Sequence, residues 1–294
     1  MANLRDLRLR MRAIEQTLQV TKAMDLISTA KLRKGRRARE DIEPYFERIK
    51  KSMFDILSCA HDIDSPFFQR PDGTVRTAII AITSDKGLAG GYNMNIVRHV
   101  NDLCSRVKNP VLILIGNIGE RYFTHSPYSI LENFSFRSQL PTLENAAEIA
   151  EHVISQFLWG AFHEAHVVYT HMFSAIKLMT MEQQILPPDK EKIQSEIFKT
   201  GGVKRVELQF EFLPSAGAVF DALVPLYVRG VLYGAMVEAY ASEQSARMAA
   251  MDEASKNAED MLASLRISYN RARQAGITQE VSEIVGSSVA LADK

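Results

Sequence analysis

Residues 226–285, LYVRGVLYGAMVEAYASEQSARMAAMDEASKNAEDMLASLRISYNRARQAGITQEVSEIV, run for sixty residues without a proline. One seam repeats through them: Val237, Ala241, Gln244, Met248, Met251, Ser255, Ala258, Leu262, Leu265, Tyr269, Ala272, Gly276. The steps alternate four and three, the 3.5-residue period of a helix wound around a partner helix. At 1.5 Å per residue the stretch predicts a rod of about 90 Å. Several seam residues are small or polar (Ala241, Gln244, Ser255, Ala258, Gly276), which lets backbones approach but gives little hydrophobic grip. A helix buried in a bundle is the alternative. The dense charge at Asp252, Glu253, Lys256, Glu259 and Asp260 favours the coiled coil.

The other end of the chain predicts a second long helix. Leu4, Leu7, Met11, Ile14 and Leu18 step by three and four; the phase then slips through Val20, Met24 and Ile27 and recovers from Ile42. Gly35 and Pro44 predict a kink or unwound turn, because proline removes a backbone donor and clashes with the preceding turn. Between these helices the chain alternates strand and helix. Residues 76–83, 110–115, 130–134, 165–172 and 176–185 read as strands, with helices over 93–108, 118–124 and 143–162. Unbroken apolar strands alternating with helices imply a mostly parallel sheet covered on both faces. Residues 187–202 read as a polar loop and 204–212 as an alternating strand. The expected organisation is an N-terminal helix over 1–62, an α/β body over 75–210 and a C-terminal helix over 215–290. Chain order makes the two helices antiparallel, with the last overrunning the first at an apolar tip, Ile277, Val281, Ile284, Val285, Val289 and Leu291. An apolar tip with no intrachain partner predicts a socket in another protein.

Formal net charge is zero and the hydrophobic share is 46%, an ordinary composition for a water-soluble fold. The absence of an 18-residue apolar run predicts no membrane span, and the N-terminus predicts no signal peptide. Cys59 and Cys104 stand at unrelated spacing, which implies neither a disulfide framework nor a metal knuckle. Residues 1–40 hold eleven Lys or Arg against four acids, a local charge of +7 that suits nucleic acid, anionic lipid or an acidic protein surface, or simply a solvated face.

The sharpest local motif is Ser84-Asp85-Lys86-Gly87-Leu88-Ala89-Gly90-Gly91-Tyr92-Asn93, directly after the first strand. A glycine-rich strand-to-helix turn can cradle a phosphate. Its spacing is neither that of a dinucleotide fingerprint nor of a P-loop, so a tight turn or protein contact is the better reading. His163, Glu164 and His166 match no metal-ligand spacing. No nucleophile elbow is present, so no catalytic set, cofactor or metal is expected.

Four motifs spread over the whole chain resemble the gamma subunit of F-type ATP synthases. They are Val20-Thr21-Lys22-Ala23-Met24 with Ala30-Lys31-Leu32-Arg33; the Ser84–Asn93 loop, similar to the family's S-D-R-G-L-C-G-G-Y-N; residues 241–251; and residues 269–280. Ile277, Thr278, Glu280 and Glu283 match the family's I-T-x-E-x-x-E ending, whose following glycine and alanine are here Ser287 and Ser288. The resemblance implies a non-catalytic rotor shaft inside a ring of alpha and beta subunits. An antiparallel coiled coil would occupy the ring's bore, with a Rossmann-like body resting on the epsilon subunit and the membrane c-ring. It implies a peripheral location on the cytoplasmic side of a bacterial cell membrane. It assigns contacts with the beta subunits to Met24, Lys86, Gly87, Ala89, Arg247, Arg273, Gln274, Thr278 and Glu280. The membrane-ring foot falls at Phe210, Glu211, Phe212 and Leu213, and the bearing tip at Ile277, Val281, Ile284 and Val285. It implies no nucleic-acid partner and no direct nucleotide binding. The competing readings are a nucleotide-binding α/β enzyme with a coiled-coil arm and a homodimeric coiled-coil scaffold.

Overall fold

A computed structural model describes residues 4–59, 63, 65–68, 75–136, 140–174, 177–189 and 212–292, with the side chains of 59 and 286–292 left out. The elements in chain order are α1 (Leu4–Cys59), β1 (Thr77–Ile82), α2 (Tyr92–Arg106), β2 (Pro110–Ile115), α3 (Asn117–Phe123), β3 (Ser129–Phe134), α4 (Leu143–Leu158), β4 (Glu164–Met172), β5 (Leu178–Leu186) and α5 (Ala216–Ala292). The strand expected over 204–212 falls outside the described residues except for Phe212. The chain forms two compact units, one of Thr29–Arg247 and one of Met1–Ser28 with Met248–Lys294.

The larger unit is built on a five-stranded sheet in the order β3-β2-β1-β4-β5. β1 pairs in parallel with β2 and β4, and β2 with β3. β5 pairs antiparallel to β4, so the sheet is mostly parallel, as expected; only five residues of chain separate these two strands. Every residue of β1 is buried. Alternate side chains feed opposite faces, so a strand covered on both sides reads as a continuous apolar run. Ala78, Ile80 and Ile82 join the core shared with α4 (Ile149, Val153), α1 (Met53, Ile56) and α5 (Phe220, Val228, Leu232). Ile79 and Ala81 join the core under α2, with Ile96, Val97, Val100 and Leu103. A reciprocal capping box between Thr142 and Asn145 starts α4.

Within this unit α5 is buried around its circumference: from Val231 to Ser245 every residue except Gly234 is buried. The bundle-type reading therefore holds for this half of the helix, and seam positions Val237, Ala241 and Gln244 are no more buried than their neighbours. α5 also starts earlier than the proline-free stretch, with Pro225 inside it. It contains an 18-residue window of mean hydropathy 1.3, enough by composition to cross a membrane, although 56% of that window is buried inside the protein. The window is not an unbroken apolar run, so it leaves the expectation of no membrane span in place. Its apolar character is that of a core helix, which passes the same test.

α1 is an unbroken helix through Gly35 and Pro44, so the expected unwound turn is absent. Gly35 lies against the Tyr240 ring, where an added Cβ would sit 3.2 Å from Cδ1. Two residues after Pro44, the buried Phe46 packs over Gly230, where a Cβ would come within 2.1 Å of its ring. This packing on α5 holds the helix through the lost backbone bond. A buried carboxylate, Glu238 of α5, accepts hydrogen bonds from Arg39 of α1 and from the Met172 amide of β4, the latter at 3.0 Å. His171 Nδ1 lies 3.2 Å from the same carboxylate.

In the smaller unit the two helices pair antiparallel. Contacts are Arg8–Tyr269 (2.7 Å), Glu15–Arg266 (3.6 Å), Lys22–Glu259 (2.6 Å) and Thr21–Ser255 (2.8 Å), so the earlier part of α1 meets the later part of α5. Here the seam is real. Met251, Ser255, Ala258 and Leu262 are buried, Met248, Leu265, Tyr269, Ala272 and Gly276 are partly buried, and most residues between them are exposed. On α1 the seam does not slip at Val20. It continues from Leu18 through the buried Thr21 to the buried Ser28, while Val20 and Ile27 face solvent. The Ser255 hydroxyl donates to Thr21 Oγ1, so a hydroxyl pair bridges the seam, with Thr21 in place of the expected Val20.

Gly116, between β2 and α3, has φ +99°, and a Cβ there would lie 2.3 Å from Thr83 O. Gly116→Ala is expected to lower unfolding free energy by at least the roughly 1–3 kcal/mol of such a backbone conformation, read as a reduced urea midpoint. Burial pushes the Cys104 thiol up to about 11. In a Cys59→Ser background, iodoacetamide should leave Cys104 unmodified in the native chain and label it fully in guanidinium, and labelling of the native chain would contradict the buried placement.

Candidate partner-contact surfaces

The Ser84–Asn93 loop is anchored at both ends by its own side chains. The Ser84 amide donates to Asn93 Oδ1 at 3.0 Å, and Asn93 Nδ2 donates to Ser84 Oγ at 2.8 Å. Asp85 Oδ1 accepts from the Asn117 amide at 3.1 Å, tying the loop to the start of α3. Ala89 is 2% exposed and belongs to the α2 core, so its methyl is not available to a partner. The exposed residues are Lys86, Gly87 and Leu88 and, past Ala89, Gly90 and Gly91; Leu88 is 63% exposed in the left-handed region at φ 63°.

The inner side of that turn meets α5. Arg247 Nη2 donates to Lys86 O and Gly87 O, each at 3.2 Å. The same nitrogen lies 2.7 Å from Glu243 Oε1, and both side chains are 9% exposed. Arg247, expected from the resemblance to face a partner, is thus an internal brace. Glu243 was not among the expected site residues, although its i,i+4 spacing to Arg247 in the Ala241–Met251 motif was visible. Burial raises the Glu243 carboxyl above its ordinary 4.5; Arg247's charge and hydrogen bond oppose the rise, Asp85 adds to it and Lys31 opposes it. The short ion pair and the upward shift agree once desolvation is the larger effect.

The Lys86–Gly87 part of the loop turns carbonyls, not amides, toward α5. A phosphate site needs backbone N–H groups aimed at the anion, whereas the Lys86 and Gly87 carbonyls point at a guanidinium. The crevice beyond the carboxyl ends of the parallel strands, where open α/β sheets bind ligands, is filled by Met236, Ala239, Tyr240 and Glu243 of α5. What remains beside Thr83, Asp85 and Tyr92 is a cavity of about 50 Å³. Small-molecule sites run to roughly 300–1,000 Å³. His163, Glu164 and His166 do not converge on a metal: the His163 ring accepts from the Arg76 amide at 3.0 Å, and His166 Nδ1 lies 3.1 Å from Glu182. Among the described residues no group of three or more His, Cys, Asp or Glu is arranged to hold a metal ion.

In the smaller unit, Met24 is half-buried beside the exposed Leu26 and Ile27. Arg273, Gln274, Thr278 and Glu280 are all exposed, and the Thr278 hydroxyl donates to Gln274 O at 2.9 Å. Arg247 belongs to the larger unit. The tip residues Ile277, Val281, Ile284 and Val285 are 52–66% exposed. At the foot, Phe212 packs on the larger unit's core and Leu213 is 79% exposed; Phe210 and Glu211 lie outside the described residues.

The profile of a family described as ATP synthase matches residues 3–291. The ATP synthase gamma chain of Acetivibrio thermocellus is 41% identical over 297 residues, spanning 99% of this chain and 100% of that relative. The central stalk/c-ring structure of Tetrahymena thermophila mitochondrial ATP synthase contains a chain with TM-score 0.60 and 25% identity, over 80% of this chain and 99% of that one. A chain of the Euglena gracilis mitochondrial ATP synthase, OSCP/F1/c-ring in rotational state 3, shares the fold with TM-score 0.70 and 18% identity, over 98% of this chain and 94% of that one.

An acid whose folded-state pKa is raised loses stability as pH climbs from its ordinary value through the folded one, because the native state binds more protons there. The unfolding free energy of the unsubstituted chain minus that of Glu243→Gln should therefore fall as pH rises from 4.5 toward neutrality. Urea midpoints measured across that window decide it, and a flat or rising difference would refute the raised carboxyl.

Proposed function

The chain belongs to the ATP synthase gamma-chain family, and from that premise we propose that it is the rotor shaft of a rotary ATP synthase. The paired helices, within 1–62 and 215–290, sit in the bore of an alpha/beta ring. The body over 75–210 carries the epsilon subunit and stands on the membrane c-ring, peripheral to a bacterial cell membrane on its cytoplasmic side. The chain makes no bond-changing step itself. Its work is linkage: one rotor orientation has different contact energies with each conformation of a catalytic beta subunit, so turning the shaft shifts which conformation is favoured.

The observation that carries this reading is the C-terminal end of α5. Ile277, Val281, Ile284 and Val285 expose aliphatic side chains beyond the paired seam. Fully burying such a side chain is worth about 1.5–3 kcal/mol, so a socket that covers the tip gains substantially from it. The exposed Arg273, Gln274, Thr278 and Glu280 adjoin the tip and supply polar contacts to beta subunits; Met24, Lys86 and Gly87 supply others. Phe212 and Leu213, with Phe210 and Glu211, form the foot. The filled crevice counts against the nucleotide-binding enzyme, and antiparallel pairing within one chain counts against a homodimeric scaffold.

Reconstitution tests the proposal. Mixed with alpha and beta subunits of its own organism, the chain should co-purify at one copy per ring and support ATP hydrolysis. Arg273→Ala with Gln274→Ala should assemble normally and turn over about tenfold more slowly, equivalent to about 1.4 kcal/mol. A chain that fails to join the ring but hydrolyses ATP alone would overturn the rotor reading in favour of the enzyme.

A further inference from the structure

We propose that Arg247 and Glu243 are a positioning pair that sets how the Lys86–Leu88 turn is presented to a partner subunit, so that Arg247 acts through the loop and does not touch the partner. The proposal rests on the rotor reading above and deepens it.

The loop's two ends are fixed by other means: Ser84 with Asn93, Asp85 with the Asn117 amide, and the buried Ala89. The middle of the turn crosses the gap between them. Its Lys86 and Gly87 carbonyls converge on one nitrogen of Arg247. With those carbonyls turned inward, the Lys86 and Leu88 side chains lie on the outside. Leu88 holds φ 63°, a conformation that side-chain-bearing residues avoid and that persists where its surroundings enforce it. An exposed Leu in a strained backbone, next to an exposed Lys, is a knob that offers an apolar contact and a positive charge together.

Glu243 makes the brace specific. A guanidinium alone could swing among several acceptors. The carboxylate one helical turn back, 2.7 Å away and as buried as Arg247, takes one N–H of Nη2 and so fixes the direction of the other, which the Lys86 and Gly87 carbonyls share. Tyr92, at the start of α2, donates its hydroxyl to Ala239 O at 3.2 Å and locks the same stretch of α5 to the loop's far end. The pair therefore joins a core helix to a surface knob. With both side chains 9% exposed, Arg247 has little surface left for direct contact.

Two measurements test the pair. In the isolated full-length chain, the backbone order parameters of Gly87 and Leu88 should fall from the rigid range, about 0.85, to below about 0.6 in Arg247→Lys and in Glu243→Gln, because the turn loses the bonds that hold its carbonyls. Order parameters in β1 and along α2 should stay unchanged, which excludes general loosening; circular dichroism checks that each variant folds. In the reconstituted complex, Arg247→Lys and Leu88→Ala should each slow turnover, and combining them should add less than about twofold to either alone. Unchanged turn order parameters in both variants overturn the role of the pair. Turnover defects that multiply overturn the claim that Arg247 acts through the loop, and full turnover in Leu88→Ala overturns the knob. Failure of the unsubstituted chain to assemble overturns the rotor reading, whereas the order parameters still judge the pair on its own.

Discussion

A helix with no polar stripe has to be covered on every side, and α5 between Val231 and Ser245 leaves no face to water. The larger unit is arranged to meet that demand. The sheet and α4 contribute Ile80, Ile82, Ile149 and Val153 to the core shared with α5, and α1 contributes Phe46, Ile49, Met53 and Ile56. The close approach at Gly230 and Phe46 is possible because one partner lacks a side chain. Once α5 lies there, it also fills the strand-end crevice that an α/β enzyme would keep open. A helix that forms the core of the body is thereby incompatible with a ligand pocket in the usual place.

The polar residues of this buried stretch follow from the same constraint. A buried polar group needs a partner, and α5 finds them in the elements packed against it. Glu238 takes Arg39 and the Met172 amide, Ser242 donates to Thr170 O at 2.8 Å, and Glu243 takes Arg247, which in turn holds the loop. Each of these links fixes the helix at one height and rotation against the sheet. Apolar packing alone would tolerate sliding by a turn; a series of directional bonds does not.

Much of this was legible in the residues, and the failures have definite physical causes. The strands of the sheet were visible as apolar runs because both faces are buried, and α4 announced itself through Thr142 and its periodic apolar face. The 3.5-residue seam was visible over its whole length, yet it describes a paired helix only from Met248 onward. Upstream, Ala235, Ala239, Ser242 and Ser245 are small enough to be buried on any face, so periodicity could not reveal that every face is covered. On α1 the seam looked broken because hydrophobicity marked Val20 and Ile27, while the structure buries Thr21 and Ser28. Hydroxyls that satisfy one another across a seam are invisible to any scale that scores residues singly. The loop and the Arg247 motif were each conspicuous, but their union needed tertiary proximity across some 160 residues of chain. For that reason Arg247 read as a surface contact and Glu243 did not register.

The helix pair of the smaller unit makes sense as something completed from outside. Its seam mixes Leu7, Met251 and Leu262 with Thr21, Ser28, Ser255 and Ala258, and its cross-helix ion pairs are exposed. Exposed pairs of that kind are worth about 0–1 kcal/mol each. Meanwhile Val20, Leu26, Ile27, Ile267 and the tip residues turn aliphatic side chains outward, each more than half exposed. Such a surface is a poor design for a solitary rod and a sensible one for a rod in a sleeve. A partner that binds only the folded pair stabilises it in proportion to occupancy, so the grip missing from the seam can be supplied by whatever covers these outward faces. A polar, small-residue seam then depends on direction: the Thr21–Ser255 hydroxyls fix the register where deep interdigitation is absent.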